Sequence, residues 1–275
     1  MPLHFRQVDV FSPVPLGGNP VAVVHDADGL TDEQMAAFAR WTNLSETTFL
    51  LRPTDAAADY RVRIFTPGRE LPFAGHPTLG SAHAWLEAGG NPQDDTGVVQ
   101  ECGVGLVRLR RGERLAFAAP PSRSEPVDDT ALDTACRALE LDPADVVDAR
   151  VLDNGPTFVA LRLRDARSVL AVHPDLGAFG DLDVGVVGPH QPGGDAAIEV
   201  RVFVPGMGIA EDPVTGSFNA AVAQWLVGDG TLPASYVAAQ GTALGRTGRV
   251  HVDTDAEGTW VGGDTVTTIL GTVDL

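Results

Sequence analysis

The sequence of 275 residues contains no lysine, and all 19 of its basic side chains are arginines. This absence excludes an internal Schiff base with pyridoxal phosphate, a lysine-dependent aldolase and the phosphate-binding lysine of a P-loop, because each needs a lysine amine. Basic residues are also outnumbered, since 37 acidic side chains give a net charge of −18. Nucleic acids and anionic membrane surfaces are recognised by basic patches, so we expect neither as a partner.

Cysteines and long apolar runs are also scarce. Two cysteines, Cys102 and Cys136, are too few for a disulfide framework, which favours a reducing cytoplasm. No apolar run reaches the length of a membrane-spanning helix, and the N-terminal residues lack the pattern of a signal peptide. We therefore expect a cytoplasmic protein with one large domain or two of ordinary size.

The hydrophobic pattern predicts short strands that are joined by hairpins and interleaved with helices. Residues 60–65 and 198–204 alternate as strands do, but regular strand–helix–strand spacings are few. That combination favours an α+β fold over a doubly wound parallel sheet. The proline-rich segment 119–122 is the best candidate linker, which places the domains at 1–118 and 119–275. Whether the last strand crosses back to the first domain is left open.

An internal repeat supports two domains of similar topology. Residues 63–67 match residues 201–205 at a spacing of 138, and each segment is followed by a glycine-rich loop and an apolar helix. The loops match at a spacing of 136, with His76-Pro77 and Gly80-Ser81 aligned to Asp212-Pro213 and Gly216-Ser217. Two copies of half a chain predict two similar domains. The alternative is a coincidence between two ordinary strand–loop–helix units.

The loops of this repeat and several flanking segments carry a specific set of motifs. They are Phe65-Thr66-Pro67 with Glu70-Leu71-Pro72-Phe73-Ala74-Gly75-His76-Pro77-Thr78-Leu79-Gly80, Glu211-Asp212-Pro213-Val214-Thr215-Gly216-Ser217, Asn43-Leu44-Ser45-Glu46-Thr47-Thr48-Phe49, Val8-Asp9-Val10-Phe11 with Gly18-Asn19-Pro20, and Gln240-Gly241 with Arg246-Thr247-Gly248-Arg249. Over nearly the whole chain, these motifs resemble the phenazine-biosynthesis PhzF-like isomerases. Thr247 departs from the pattern, because the family commonly has proline there.

This resemblance implies a diaminopimelate-epimerase-like fold of two pseudo-symmetric domains, each a mostly antiparallel sheet wrapped around a central helix. It further implies a site in the cleft between the domains and a homodimer. The implied chemistry is a proton transfer at carbon without a cofactor. The best-understood relative shifts a proton within a dihydro-hydroxyanthranilate.

Glu46 is the expected general acid/base. A carboxylate that removes a proton from carbon works best with a pKa raised toward neutrality, and an enclosed cleft would raise it by desolvation. The alternative is an exposed glutamate at the start of a strand. The resemblance makes the catalytic interpretation the stronger one.

His76 and Asp212 are expected at the N-termini of the two central helices. The helix dipole disfavours an imidazolium at His76 and favours a carboxylate at Asp212. We interpret His76 as a neutral hydrogen-bond partner or proton relay, and Asp212 as its partner or as an anchor for a substrate hydroxyl or amine. The alternative is that both residues are simple helix N-caps. Gly75, Gly216 and Ser217 are expected to offer backbone N–H groups to a substrate carboxylate or developing enolate.

Cofactor and metal motifs are not predicted. Gly103 and Gly105 lack the third glycine of a dinucleotide fingerprint, and His76 and His83 have no further ligand beside them in sequence. The resemblance implies a cofactor-independent isomerase or epimerase that acts on a small, cyclic or hydroxylated, carboxylic acid. A non-catalytic protein of the same fold that binds a small acid is the alternative, and a thiol racemase that uses Cys102 is a third.

Overall fold

The computed structural model of the protein describes residues 2–275, except for the side chain of Met207. The helices are α1 (Asp32–Thr42), α2 (Gly75–Glu87), α3 (Asp129–Ala138), α4 (Ala166–Leu170) and α5 (Gly216–Gly228). The strands are β1 (Leu3–Val10), β2 (Asn19–Val24), β3 (Glu46–Leu51), β4 (Tyr60–Phe65), β5 (Glu70–Leu71), β6 (Gly97–Cys102), β7 (Gly105–Arg111), β8 (Leu115–Ala118), β9 (Arg123–Pro126), β10 (Val146–Asp153), β11 (Thr157–Leu163), β12 (Val184–Pro189), β13 (Ile198–Val204), β14 (Ile209–Asp212), β15 (Ser235–Gln240), β16 (Gly248–Asp255), β17 (Gly258–Gly263) and β18 (Thr265–Val273). No helix within residues 2–275 is long and apolar enough to cross a membrane.

The chain divides into two compact units. The first contains the chain up to Ala118 together with Gly262–Leu275, and the second contains Ala119–Val261. Residues 119–122 are irregular backbone between β8 and β9. The final strand β18 pairs with β1 along its length and so lies in the first unit.

Both units have the same strand order around one helix. In the first, β1–β2 and β3–β4 are antiparallel pairs, β2 and β3 are parallel, and β4 runs parallel to β6, which pairs with β7. In the second, β10–β11 and β12–β13 take the same places, and β13 runs parallel to β15, which pairs with β16. The predicted α+β class, with two repeated and mostly antiparallel sheets, is confirmed.

In each unit, one largely apolar helix packs against the strands of the sheet. In the first unit α2 contacts β1, β2, β3, β6, β8 and β18, and most of its residues are buried. Gly80 lets this helix lie against the sheet, because a Cβ there would come within 2.3 Å of a methyl carbon of Val21. In the second unit α5 contacts β10 and β16, and Gly185 on β12 makes room for the ring of Phe218 in the same way.

The peripheral helices obey simpler local rules. Thr31 begins α1 with a complete capping box, in which Thr31 and Gln34 each accept the other's backbone N–H. Its apolar side, including Met35 and Phe38, packs in a cluster with Phe49 of β3. In the second unit, Cys136 of α3 packs beside Leu139 and Phe179 in a separate core cluster, so it is a core residue as its helical spacing predicts.

Candidate active site

The predicted site residues lie where a strand turns into a central helix. We call residues 60–78, from β4 through β5 to the first turn of α2, the first corner. Residues 198–219, from β13 through β14 to the first turn of α5, are the second corner. His76 and Gly75 belong to the first corner, and Asp212, Gly216 and Ser217 to the second.

Glu46 and His76 form a buried pair in the first unit. Glu46 is the first residue of β3, and its Oε2 lies 3.3 Å from Nδ1 of His76 in α2. The Asn19 amide nitrogen lies 3.5 Å from the same Nδ1 atom. The side chain of His76 is 4% exposed and that of Glu46 is 14% exposed. The structure thus brings the predicted acid/base and the predicted partner into contact, although 30 positions of sequence separate them.

His76 is a neutral imidazole in this environment. Burial lowers its pKa to about 3, because the imidazolium would lose its hydration, and the Pro20 backbone carbonyl acts weakly in the opposite direction. The contact with Glu46 is therefore not an ion pair at neutral pH. Nε2 of His76 is buried and has no hydrogen-bond partner within the described residues 2–275.

Both central helices begin without a side-chain cap. Within the described chain, the N-cap residues Ala74 of α2 and Thr215 of α5 make no side-chain bond to their own helix. The first N–H groups of a helix have no intrahelical partner, and the helix dipole makes them favourable for anions. Gly75, Gly216 and Ser217 occupy the first two positions of these helices, as expected for residues that present N–H groups to a ligand.

One prediction about Asp212 is wrong. Asp212 is not at a helix N-terminus, since it ends β14 and α5 begins four residues later at Gly216. The N-cap alternative is wrong for both residues as well, because His76 lies inside α2 and the caps are Ala74 and Thr215. Asp212 is buried, and its Oδ2 accepts a 2.7 Å hydrogen bond from the hydroxyl of Thr215.

The repeat is real, but its register in the loops differs from the predicted one. Arg63 makes a bidentate pair with Glu70 and lies over a phenylalanine ring, and Arg201 does the same with Glu211.

The two arginines are 138 positions apart and the two glutamates 141, because the segment from Arg201 to Glu211 is three residues longer than the segment from Arg63 to Glu70. The helices α2 and α5 keep the spacing of 141. His76 therefore corresponds to Ser217, and Asp212 corresponds to Leu71.

Sequence reasoning missed the buried polar residues that support Asp212. Thr215, Asn219 and Gln240 form one hydrogen-bonded group with it in the second unit. A signal was available, since Asn219 is a polar residue in an apolar helix and Gln240 ends an apolar strand. Neither position predicts a partner without the fold.

Cys102 lies at the end of β6, and burial raises the pKa of its thiol. Such a thiol is less reactive than a free one. Within residues 2–275, no group of three or more His, Cys, Asp or Glu side chains is arranged to hold a metal ion.

Comparison with solved structures supports the fold. The PhzF-family phenazine biosynthesis protein of Bacillus anthracis superimposes with a TM-score of 0.86, at 22% identity, over 100% of both chains. At that identity the likeness concerns the fold alone.

Sequence relatives carry the functional information. The protein named antisense-enhancing sequence 1 from Schizosaccharomyces pombe is 37% identical over 97% of both chains. Trans-2,3-dihydro-3-hydroxyanthranilate isomerase of Pseudomonas aeruginosa is 34% identical over 91% of this chain and 90% of its own. The class defined by the relatives that are named isomerases, at 34–37% identity, is that of an isomerase. The family model for phenazine biosynthesis-like proteins (PhzC-PhzF) matches residues 8–271, and the chain belongs to this family.

Proposed function

We propose that this isomerase moves a proton between positions on a small carboxylic acid, either as an isomerase in the strict sense or as an epimerase. A cyclic or hydroxylated acid is the best candidate, because similar proteins act on trans-2,3-dihydro-3-hydroxyanthranilate. The reaction proceeds without a cofactor, and Glu46 is the general acid/base.

The contact between Glu46 and His76 is the observation that carries this proposal. A largely buried carboxylate beside an imidazole that stays neutral above about pH 3 can lose or accept a proton without forming an imidazolium. A structural ion pair would instead favour a charged histidine.

The chemistry balances with these groups alone. Glu46 takes a proton from a substrate carbon, and the electron pair of the C–H bond moves into the conjugated carboxylate as an enolate. Backbone N–H groups of Gly75, Gly216 and Ser217 stabilise the negative charge that develops. Glu46 then returns a proton to carbon, while Asp212 accepts a hydrogen bond from a hydroxyl or amine of the substrate.

Deuterium exchange tests this assignment. The parent protein and Glu46→Gln are incubated with trans-2,3-dihydro-3-hydroxyanthranilate in deuterated water, and label at carbon is followed by NMR. We expect exchange in the parent and a loss of about 10²- to 10⁴-fold in the variant. The exposed Glu113→Gln is the matched control and should exchange like the parent.

Two outcomes would redirect the assignment. Equal exchange in Glu46→Gln would show that another group moves the proton. Saturable binding of the acid with no exchange in the parent would favour the non-catalytic binding protein.

A homodimer and a cytoplasmic location are further parts of the proposal. Family resemblance supports the dimer, and the low cysteine content supports the location. Sedimentation equilibrium of the purified chain measures the first, and a mass of one chain would contradict it.

A further inference from the structure

Gln240 has a completely buried side chain, and both its amide oxygen and its amide nitrogen bind the turn formed by residues 212–215. Its Oε1 accepts the backbone N–H of Thr215 at 3.0 Å, and its Nε2 donates to the backbone carbonyl of Asp212 at 3.1 Å. Because the first partner can only donate and the second can only accept, the orientation of the amide is fixed at both ends.

The second proton of Nε2 sets the direction of the next hydrogen bond. Gln240 Nε2 donates it to the hydroxyl oxygen of Thr215 at 2.9 Å. The hydroxyl has a single proton of its own, which points to Oδ2 of Asp212 at 2.7 Å. Asp212 must therefore accept at Oδ2, and a hydroxyl that donates to a carboxyl oxygen favours the ionised form.

A second buried amide holds the same turn. Asn219 of α5 donates from Nδ2 to Oε1 of Gln240 at 2.9 Å and to the backbone carbonyl of Thr215 at 3.0 Å. Both acceptors are unambiguous, so Asn219 cannot rotate its amide without losing both bonds. These bonds hold the side chain of Gln240 and the backbone of Thr215 in one position. Through the hydroxyl of Thr215 they also restrain the Asp212 carboxylate.

We propose that Gln240 and Thr215 are positioning residues that hold the Asp212 carboxylate ionised and in one orientation for its work on the substrate. Its catalytic consequence rests on the proposed function of Asp212. The chain of bonds from amide to hydroxyl to carboxylate stays within the second unit and involves only buried groups. Buried charge-assisted bonds of this kind fix geometry more firmly than exposed ones.

Crystal structures without substrate test the positioning part by itself. Thr215→Val removes the hydroxyl at nearly constant volume, and Thr215→Ser keeps it. We expect the Asp212 carboxylate to rotate or become disordered in the valine variant and to keep its place in the serine variant. An unmoved and ordered Asp212 carboxylate in Thr215→Val overturns the inference, whatever the activity.

Exchange assays test the catalytic part. With trans-2,3-dihydro-3-hydroxyanthranilate as the probe, Thr215→Val should lower kcat/KM by about 10- to 100-fold, the range typical of a lost bond to a charged group. Thr215→Ser should stay within about threefold of the parent. Thr259→Val is the matched control, because Thr259 is also 8% exposed but its hydroxyl meets only that of Thr254 among the described hydrogen bonds.

The two hypotheses fail in different ways. A parent that never exchanges the probe contradicts the proposed function, while the crystal structures still decide the positioning role. An equal loss in Thr215→Val and Thr215→Ser, or a loss in Thr259→Val as large as in Thr215→Val, would show a general packing effect and reject the positioning residues.

Discussion

The first and second corners are built alike but carry different chemistry. Each has an arginine that pairs with a glutamate on the next strand, and each central helix starts with a glycine. At the next helical position the first corner has His76 and the second has Ser217. The titratable group of the second corner, Asp212, stands before the helix instead, where the first corner has Leu71.

The polar support of the two helices shows the same contrast. In the first unit, Gln100 donates to the hydroxyl of Thr78 at 3.0 Å, and Thr78 donates to the backbone carbonyl of Ala74 at 2.9 Å. In the second unit, the amide of Gln240 also donates to the hydroxyl of a threonine, but that threonine, Thr215, donates its own hydrogen bond to the Asp212 carboxylate. The same amide-to-hydroxyl hydrogen bond is thus followed by a bond to a backbone carbonyl in the first unit and by a bond to the Asp212 carboxylate in the second.

This difference assigns separate tasks to the two corners. A buried neutral histidine can share a proton with a neighbouring carboxylate, and a carboxylate held by a hydroxyl donor is stabilised as an anion. The first unit therefore suits proton transfer, and the second suits binding of a hydroxyl or amine. His76 and Asp212 are therefore not equivalent groups at the two helix starts, because Asp212 ends β14 four residues before α5 begins.

Breaking the arginine–glutamate pair should show the largest difference between the corners. In the second corner the side chains of Arg201 and Glu211 are 6% and 9% exposed, whereas those of Arg63 and Glu70 are 18% and 42% exposed. We expect Glu211→Ala to lower the free energy of unfolding by about 3 kcal/mol, because it leaves a buried cation without its main partner. Glu70→Ala should cost about 1 kcal/mol or less.

Urea unfolding followed by circular dichroism measures both values. Arg63 also pairs with Asp32 at 2.6 Å, so it keeps a partner in the Glu70→Ala variant. Equal losses in the two variants would mean that burial does not distinguish the corners.

Local features of this fold could be predicted from sequence, and contacts between distant segments could not. Thr31 and Gln34 predict the start of α1 because a capping box needs only four residues. The alternating residues of β4 and β13 give their bounds for a similar reason.

The predicted register between the two loops was wrong because identical residues in two segments do not reveal an insertion between them. The pairs His76-Pro77 and Asp212-Pro213 look equivalent, but three extra residues between Arg201 and Glu211 shift everything beyond them by three positions. The bond between Thr215 and Gln240 spans 25 positions and depends on β15 lying beside β13, which no local pattern reports. The contact between Glu46 and His76 was likewise accessible only through the family resemblance.

Acid should destabilise the first unit through His76. The pKa of His76 is about 3 in the folded protein and near 6.5 when the chain is unfolded, so between these values only the unfolded chain binds the proton. This group does not affect stability well above pH 6.5, and it lowers the free energy of unfolding by about 2.3 kcal/mol between pH 6.5 and 4.5. His76→Gln should remove that part of the slope.

The free energy of unfolding from urea titrations at several pH values provides the measurement. His25, whose pKa burial lowers to about 4, adds a similar slope that remains in the variant. The exposed His173→Gln is the matched control and should keep the parent's pH dependence. An unchanged slope in His76→Gln would show that the ring is not held neutral.

The smallest expected effect tests whether the N-terminus of α2 binds the substrate acid or has only a structural role. Ala74 caps α2 in an extended conformation that suits serine, and the third helical residue is Pro77, which has no N–H. In Ala74→Ser the new hydroxyl can therefore accept only from the N–H of His76. We expect a gain of about 0.5–1 kcal/mol in stability together with weaker binding of trans-2,3-dihydro-3-hydroxyanthranilate, since the new hydroxyl would lie at the open helix start beside the N–H of Gly75 that would meet the acid.

The helix α1 provides a control in which a cap affects stability but not binding. Thr31→Ala removes an existing cap from a helix that contains none of the proposed ligand groups, and it should cost about 1 kcal/mol in stability without changing binding. Calorimetric titration of the probe into both variants and the parent measures the effect. If Ala74→Ser stabilised the protein and bound the probe as tightly as the parent, the open start of α2 would be no part of the site, and acid recognition would have to rest on side chains.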